Sequence, residues 1–276
     1  MPRRKVIYSI ILALFIITFI PAGIIHSSES KELKVIFFDV GQGDSALIEQ
    51  GSKQILIDGG PDGKKVMEKL GEYVPFWDRN IEVVIATHPD EDHISGLTDV
   101  MENYNIGEVI DNGVNSDTQI YKKFKDIIAQ KGIGEIEGKA GMDINIGENI
   151  KMKIISPDGT EDKNNPKDTN LSSIVTKLTY GDKSFLFTGD FPTEGEPTLI
   201  SKNFDLHSQV LKVAHHGSKY ATSDEFLDKV HPEEAVISVG KNNRYGHPAQ
   251  EVLDRLNAHK IKILRTDERG DVEYDL

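Results

Sequence analysis

His88, Asp90, Asp92 and His93, four side chains able to hold a divalent cation, fall within six residues. Imidazole nitrogens and carboxylate oxygens suit zinc or manganese, and a loop can turn all four toward one centre. Carboxylates this close repel one another unless a cation lies between them. The plainer alternative is an acidic turn entering a helix, with Asp92 as its N-cap. Two other segments weigh against that alternative. Thr188-Gly189-Asp190 puts an acid directly after the apolar run Phe185–Phe187, where its two oxygens could bridge two ions. Lys212-Val213-Ala214-His215-His216-Gly217-Ser218 sets two adjacent histidines after another apolar run. A lone histidine there would usually be structural, whereas two beside Gly-Ser suit ligation. The chemistry these residues could share is metal-assisted hydrolysis.

Such groups need rigid carriers. Val35–Phe38, Gln54–Ile57 and Glu82–Ala86 are short apolar runs of the kind that form buried strands, and the last leads to His88. Ile94–Tyr104 and Gln119–Gln130 have helical spacing, followed by a strand at Ile150–Ile154. Ser173–Val175 and Ser184–Phe187 read as a hairpin turning at Tyr180-Gly181-Asp182-Lys183. Gln209–Val213 and Ala235–Val239 are further strands, then a helix after Pro248 and a terminal strand at Ile261–Leu264. Asp158–Asp168, rich in Asn, Asp and Pro, is expected to be a loop near the mouth of the site. The two halves share a strand-rich layout, which suits two packed sheets with helices outside.

The first 29 residues stand apart. Arg3, Arg4 and Lys5 precede an apolar run from Val6 to Ile25, the pattern of a secretory signal or an uncleaved membrane anchor. Residues 1–29 are thus expected to direct export and residues 30–276 to form the working domain, extracellular or anchored to the outer face of the bacterial cytoplasmic membrane. The chain has no cysteine, so disulfides, cysteine-ligated zinc and thiol catalysis are excluded. Its net charge of −13 becomes −15 without those first residues. Strong non-specific binding of duplex DNA, which needs many basic contacts to phosphate, is not expected.

The motifs together resemble the metallo-β-lactamase superfamily, and within it the hydrolase domain of ComEC-type competence proteins. The resemblance runs through Phe38-Asp39-Val40-Gly41-Gln42-Gly43-Asp44, Leu56-Ile57-Asp58-Gly59-Gly60 and Thr87–Leu97. It continues through Asn170-Leu171-Ser172-Ser173, Phe187–Asp190, His215–Ser218 and Asn243–Pro248, spanning most of residues 33–276 in the family's order. It implies an α/β fold, an αββα sandwich of two mixed sheets flanked by helices, and a site for two divalent ions, Zn2+ or Mn2+. On that basis His88 and Asp90 hold one ion, Asp92 and His93 the other, and Asp190 bridges them. His216 is favoured over His215 to complete the second site, leaving His215 to face substrate. Asp58 corresponds to the buried acid that orients the histidine loop, and Asp92 could also hold the attacking hydroxide. Asp90 and Asn170 stand where the superfamily often has histidines, making the first site oxygen-rich, which shifts preference toward manganese or a weaker, exchangeable zinc and leaves a mononuclear site open.

Flanking residues complete the expected site. Gln42 and Asp44 would form its wall, unless Gly41–Asp44 is only a tight turn. Asn170, Ser173 and Ser218 would contact substrate, and Arg244 would bind phosphate with its guanidinium fork. His247, which could instead mark a helix start beside Pro248, would share proton donation to the leaving group with His215. Lys212 reads as a solvated or sheet-edge charge. The resemblance implies a phosphodiester substrate, with single-stranded DNA foremost. Phosphocholine or another cell-wall phosphoester is the alternative, for which Trp77 could serve an aromatic cage. A third reading is a non-catalytic metal-binding module in envelope DNA handling.

Overall fold

The structure, a computed structural model, describes residues 32–145, 147, 149–159 and 169–276. The expected N-terminal signal or anchor, and most of the Asp158–Asp168 loop, lie outside these residues. Among the described residues no helix is long and apolar enough to cross a membrane.

The first half runs β1 (Leu33–Phe37), β2 (Ala46–Gln50), β3 (Lys53–Ile57), α1 (Gly63–Tyr73), β4 (Asn80–Ala86), α2 (Glu91–Asn103), β5 (Asn105–Asp111), α3 (Gln119–Lys131) and β6 (Gly134–Glu137). The second runs β7 (Asp143–Ile144), β8 (Ile150–Ser156), β9 (Val175–Tyr180), β10 (Lys183–Phe187), α4 (Glu196–Ser201), β11 (Val210–Lys212), α5 (Asp224–Val230), β12 (Glu234–Ile237), α6 (Gln250–Ala258) and β13 (Lys262–Arg265). The strand expected to end the chain is therefore not the last. After α7 (Thr266–Arg269), β14 (Val272–Asp275) returns to the first sheet and pairs with β1, Val272 opposite Phe37.

Each sheet has seven strands, in the orders β14-β1-β2-β3-β4-β5-β6 and β13-β12-β11-β10-β9-β8-β7. Both pass from antiparallel to parallel pairing, at β3 in the first and β10 in the second. Phe37, Ile48, Ile85, Ile154, Phe185 and Phe187 fill the space between the sheets. Helices α1, α2 and α3 cover the outer face of the first sheet through Val66, Leu70, Leu97, Met101 and Phe124. Phe226, Leu227, Val252 and Leu256 of α5 and α6 cover the second. The αββα sandwich expected from the resemblance is the fold found.

Local signals explain most elements. Asp62 caps α1 by accepting from the Lys64 amide, and Thr118 caps α3 by accepting from the Tyr121 amide. Gly132, left-handed at φ 65°, ends α3. The β9–β10 hairpin turns through Gly181-Asp182 as expected. Gly41–Asp44 is not a tight turn but part of a longer connection between β1 and β2. Gly43 there lies so close to the Asp92 carbonyl that a Cβ would stand 2.3 Å from it.

Candidate metal centre

The parallel strands end together. The chain leaving β3 carries Asp58, the chain leaving β4 carries His88, the chain leaving β10 carries Asp190, and the chain leaving β11 carries His215 and His216. Loops at the carboxyl ends of parallel strands converge in this way because the strands share one direction. Asp90, Asp92 and His93 sit at the start of α2, where Asp90, rather than Asp92, is the N-cap residue, and its side chain makes no capping bond. The acidic-turn alternative thus loses its cap.

Three histidines have their tautomers set from behind. Thr87 Oγ1 donates to Asp58 Oδ2 at 2.7 Å and so accepts from His88 Nδ1 at 3.0 Å. His93 Nδ1 donates to Asp58 Oδ2 at 2.8 Å, and His216 Nδ1 donates to the Ser238 carbonyl at 2.9 Å. All three therefore present Nε2 to the interior, the arrangement that orients a ligating imidazole. Asp58, fully buried, thus backs His93, and the Thr87 amide also donates to it at 2.8 Å.

The inward atoms lack ordinary partners. His88 Nε2, His93 Nε2 and Asp190 Oδ1 are buried without a hydrogen bond. Buried polar atoms left unpaired cost about 1–3 kcal/mol each, so three at one point indicate a ligand. Donor atoms of His88, His93 and Asp190 lie within 4.8 Å of one another, as do those of Asp92, His93 and His216. Asp190 is central, with oxygens 3.3 Å from His93 Nε2, 3.6 Å from His216 Nε2 and 4.0 Å from His88 Nε2. Asp90 Oδ2 stands 3.7 Å from His88 Nε2, and its other oxygen accepts from Thr169 Oγ1 at 2.8 Å. Asp92 Oδ2 stands 3.2 Å from His216 Nε2. This donor set fits divalent cations.

Electrostatics divide the histidines. Burial, with His93 alongside, pulls His88 down to about 4. Burial also works against charge on His216, yet Asp190 and Asp44 raise it to about 10. His93 is likewise raised well above the usual imidazole range by Asp190 and Asp58, against its burial. Asp190 is desolvated, but the surrounding histidines hold it well below the usual carboxylate range. Burial pushes Asp90 up.

The histidine pair separates into two roles. His216 is buried, and His215 remains partly exposed. The Asn170 amide donates to His215 Nδ1 at 3.3 Å, so Nε2 carries the proton, 3.7 Å from Asp190 Oδ2. Both histidines adopt left-handed backbone, at φ 50° and 54°, a conformation costing roughly 1–2 kcal/mol for an L-residue. Nothing in the sequence signals this strained turn. His247 lies beside them, its ring 5.6 Å from that of His215 and 5.8 Å from that of Tyr245. Burial and the two neighbouring histidines pull it down to about 4. It does not begin a helix, because α6 starts after the N-cap Ala249.

Several expected substrate contacts face elsewhere. Asp44 is buried behind His216, 3.2 Å from its Nδ1, and paired with Lys212. Lys212, expected in solvent, is only 3% exposed and also donates to the Gly189 carbonyl. Gln42 Oε1 accepts from the Gly240 amide at 3.1 Å, a clamp between the two sheets' loops. Ser173 is buried and its hydroxyl accepts from the Asp190 amide, while buried Ser218 accepts from the Tyr220 amide. These small polar residues brace backbone near the site. Arg244 is fully exposed and reaches the Tyr245 hydroxyl at 2.9 Å. Thr87, Thr169 and Lys212 were not singled out as site residues from sequence. Only Thr87, beside the histidine motif, had a local signal.

Comparison with known proteins agrees with this fold. ComE operon protein 3 of Bacillus subtilis (strain 168) is 34% identical over 268 residues, covering 91% of this chain and 34% of that protein. Competence protein ComA of Neisseria gonorrhoeae is 31% identical over 248 residues, covering 89% of this chain and 33% of that protein. The chain thus spans about a third of the length of these relatives. The metallo-beta-lactamase fold protein YhfI from Bacillus subtilis superposes with a TM-score of 0.59 at 12% identity, over 88% of this chain and all of that one, a likeness of fold. Residues 38–241 match the model of the metallo-beta-lactamase superfamily, so the chain belongs to that superfamily, as a metal-dependent hydrolase with competence-protein relatives.

Proposed function

We propose that this chain is an exported phosphodiesterase whose substrate is DNA, taken as a single strand. The observation that carries the reading is the set of three imidazoles, each turned by a partner behind it to present Nε2 toward Asp190. His88, Asp90 and Asp190 would hold one divalent ion, and Asp92, His93 and His216 the other, with Asp190 shared. Bound there, such ions supply Lewis acidity toward phosphate oxygens and lower the pKa of the attacking water. The protein's own work is positioning and proton transfer. Asp58 and Thr87 fix two imidazole planes, and Asp92 can orient the attacking water. His215, partly exposed beside Asp190, would act in its imidazolium form, giving one proton to the departing oxygen and remaining as the neutral imidazole. The names of the competence relatives favour DNA over other phosphoesters. Residues 1–29 support export with the domain on the outer face of the membrane.

The phosphocholine alternative loses its tryptophan. Trp77 is 74% exposed and precedes the start of β4, whereas His88 follows the end of that strand, roughly 20 Å away.

The test uses the full chain loaded with Mn2+ or Zn2+, assayed on bis-p-nitrophenyl phosphate and single-stranded DNA. Both should be cleaved, Asp190→Ala should abolish turnover, and His215→Ala should lower kcat by about 100-fold or more. Loaded protein that cleaves neither substrate, indistinguishable from Asp190→Ala, refutes the proposal.

A further inference from the structure

We infer that the loops carrying Tyr220 and Tyr245 form a stacking surface for the bases that flank the scissile phosphate of a single strand. The inference rests on the phosphodiesterase reading and specifies how its substrate is gripped. Four large apolar side chains are conspicuously exposed among the described residues, and two of them, Tyr220 at 67% and Tyr245 at 55%, belong to site-bearing loops. Tyr220 follows His215–Ser218, and its carbonyl accepts from the Thr193 amide in the loop that leaves Asp190. Tyr245 stacks on His247 with centroids 5.8 Å apart, and His247 meets His215 edge-on at 5.6 Å. A run of rings thus leads from solvent to the proposed proton donor.

Each tyrosine also carries a cation. Lys219 Nζ lies 4.9 Å from the Tyr220 ring centroid, and Arg244 Cζ lies 5.0 Å from that of Tyr245. Lys241 lines an open groove of about 620 Å³ with Asn243, His247, Arg265, Asp267 and Glu268. Arg265 is neutralised by Asp267 and Glu268, but no carboxylate among the described residues pairs with Lys219, Lys241 or Arg244. In a chain of net charge −13, three cations on the loops beside the site thus have no carboxylate ion-pair partner among the described residues. Exposed aromatic rings interleaved with cations are the usual sequence-neutral grip on single strands, since every base has a π face and every linkage a charge. The same cations would repel a choline headgroup. Duplex DNA keeps its bases stacked on each other and offers none to a tyrosine.

The experiment measures fluorescence anisotropy of a labelled oligothymidine of roughly ten nucleotides with the full chain in EDTA, so that cleavage cannot intervene. Tyr220→Leu, Tyr245→Leu and Lys241→Ala should each weaken binding about fivefold or more, while Tyr245→Trp and Lys241→Arg retain it. Thermal midpoints of the variants control for folding. Affinity unchanged in the leucine variants, or equal for the oligothymidine and a duplex of the same length, overturns the inference. So does p-nitrophenylphosphorylcholine turnover that oligothymidine cannot inhibit. Failure of the parent chain to cleave bis-p-nitrophenyl phosphate would instead strike the phosphodiesterase reading and leave a metal-independent strand-binding surface measurable by the same titration.

Discussion

A lysine ammonium held at 3% exposure needs a counter-charge, and Asp44 supplies it while also touching His216. Removing one member of a buried pair strands the other, at a cost of about 3–5 kcal/mol. Lys212→Met should therefore lower unfolding free energy by that amount in urea titrations. Lys153→Met, which breaks an exposed pair with Asp143, should cost about 1 kcal/mol or less. Equal effects would remove Lys212 from the site's supporting structure. Lys212 escaped the sequence reading because lysines are ordinarily solvated and its partner lies far off in the chain. The imidazoles make a second prediction. His216 has a folded pKa raised from 6.5 to about 10, so its carboxylate contacts stabilise the metal-free chain fully below about pH 6.5 and cease to do so as pH rises through 10. Asp190 and Asp92, held below the usual 3.8, contribute above that value and lose their contribution as pH falls. A cation binding through Nε2 must expel the imidazole protons, so uptake near pH 7 should release protons and tighten as pH rises. Calorimetry of Mn2+ binding in buffers of different ionisation enthalpy reads this release, and identical heats would contradict it.

At the scale of elements, the approach of α2 to the β3 loop decides whether Asp58 reaches His93. Gly96 lies so close that an added Cβ would stand 1.9 Å from the Gly59 carbonyl, and the Gly96 amide donates to Gly60 at 2.9 Å. Gly96→Ala should push the helix outward, destabilise the fold by about 1–3 kcal/mol and weaken Mn2+ binding at the same time. Unaltered metal affinity alongside lost stability would show that His93 does not depend on this packing. The sequence displays the pattern behind this contact only partly. Apolar runs ending in Asp or His mark β3, β4 and β10, with the orienting acid Asp58 after the first and the ligands His88 and Asp190 after the other two. Helix α1 was missed although Asp62 and the Val66/Leu70 spacing signalled it, because Gly and Lys dilute the apolar pattern. Strand β2 is obscured for a different reason, because its short run Ala46–Ile48 adjoins Gly41–Asp44, which reads as a turn. Ser173 and Ser218 show the opposite error. Small polar residues next to ligands look like substrate contacts, yet hydroxyls of this size serve better as local backbone partners, and both are buried in that use.

For the whole molecule, two sheets with mirrored strand orders place the ends of their parallel strands on one seam. Ligands from the first half, His88 to His93, thus meet Asp190 and His216 from the second. The sequence conveyed the likeness of the halves but not the path of the last strand. β14 carries few apolar residues, and its place is set by pairing with β1 across nearly the whole chain. That pairing brings Leu33 and Leu276 into mutual hydrogen bonds of 3.1 and 2.9 Å. The two ends of the sandwich are consequently neighbours in space, and the order of the strands along the polypeptide is separable from their order in the sheets. A short linker joining them, with the chain reopened between Gly181 and Asp182, would yield a circular permutant that keeps both sheets. In it the longest-range strand pairing of the native chain becomes a local hairpin, and the two halves of the metal centre lie on segments that exchange their sequence order.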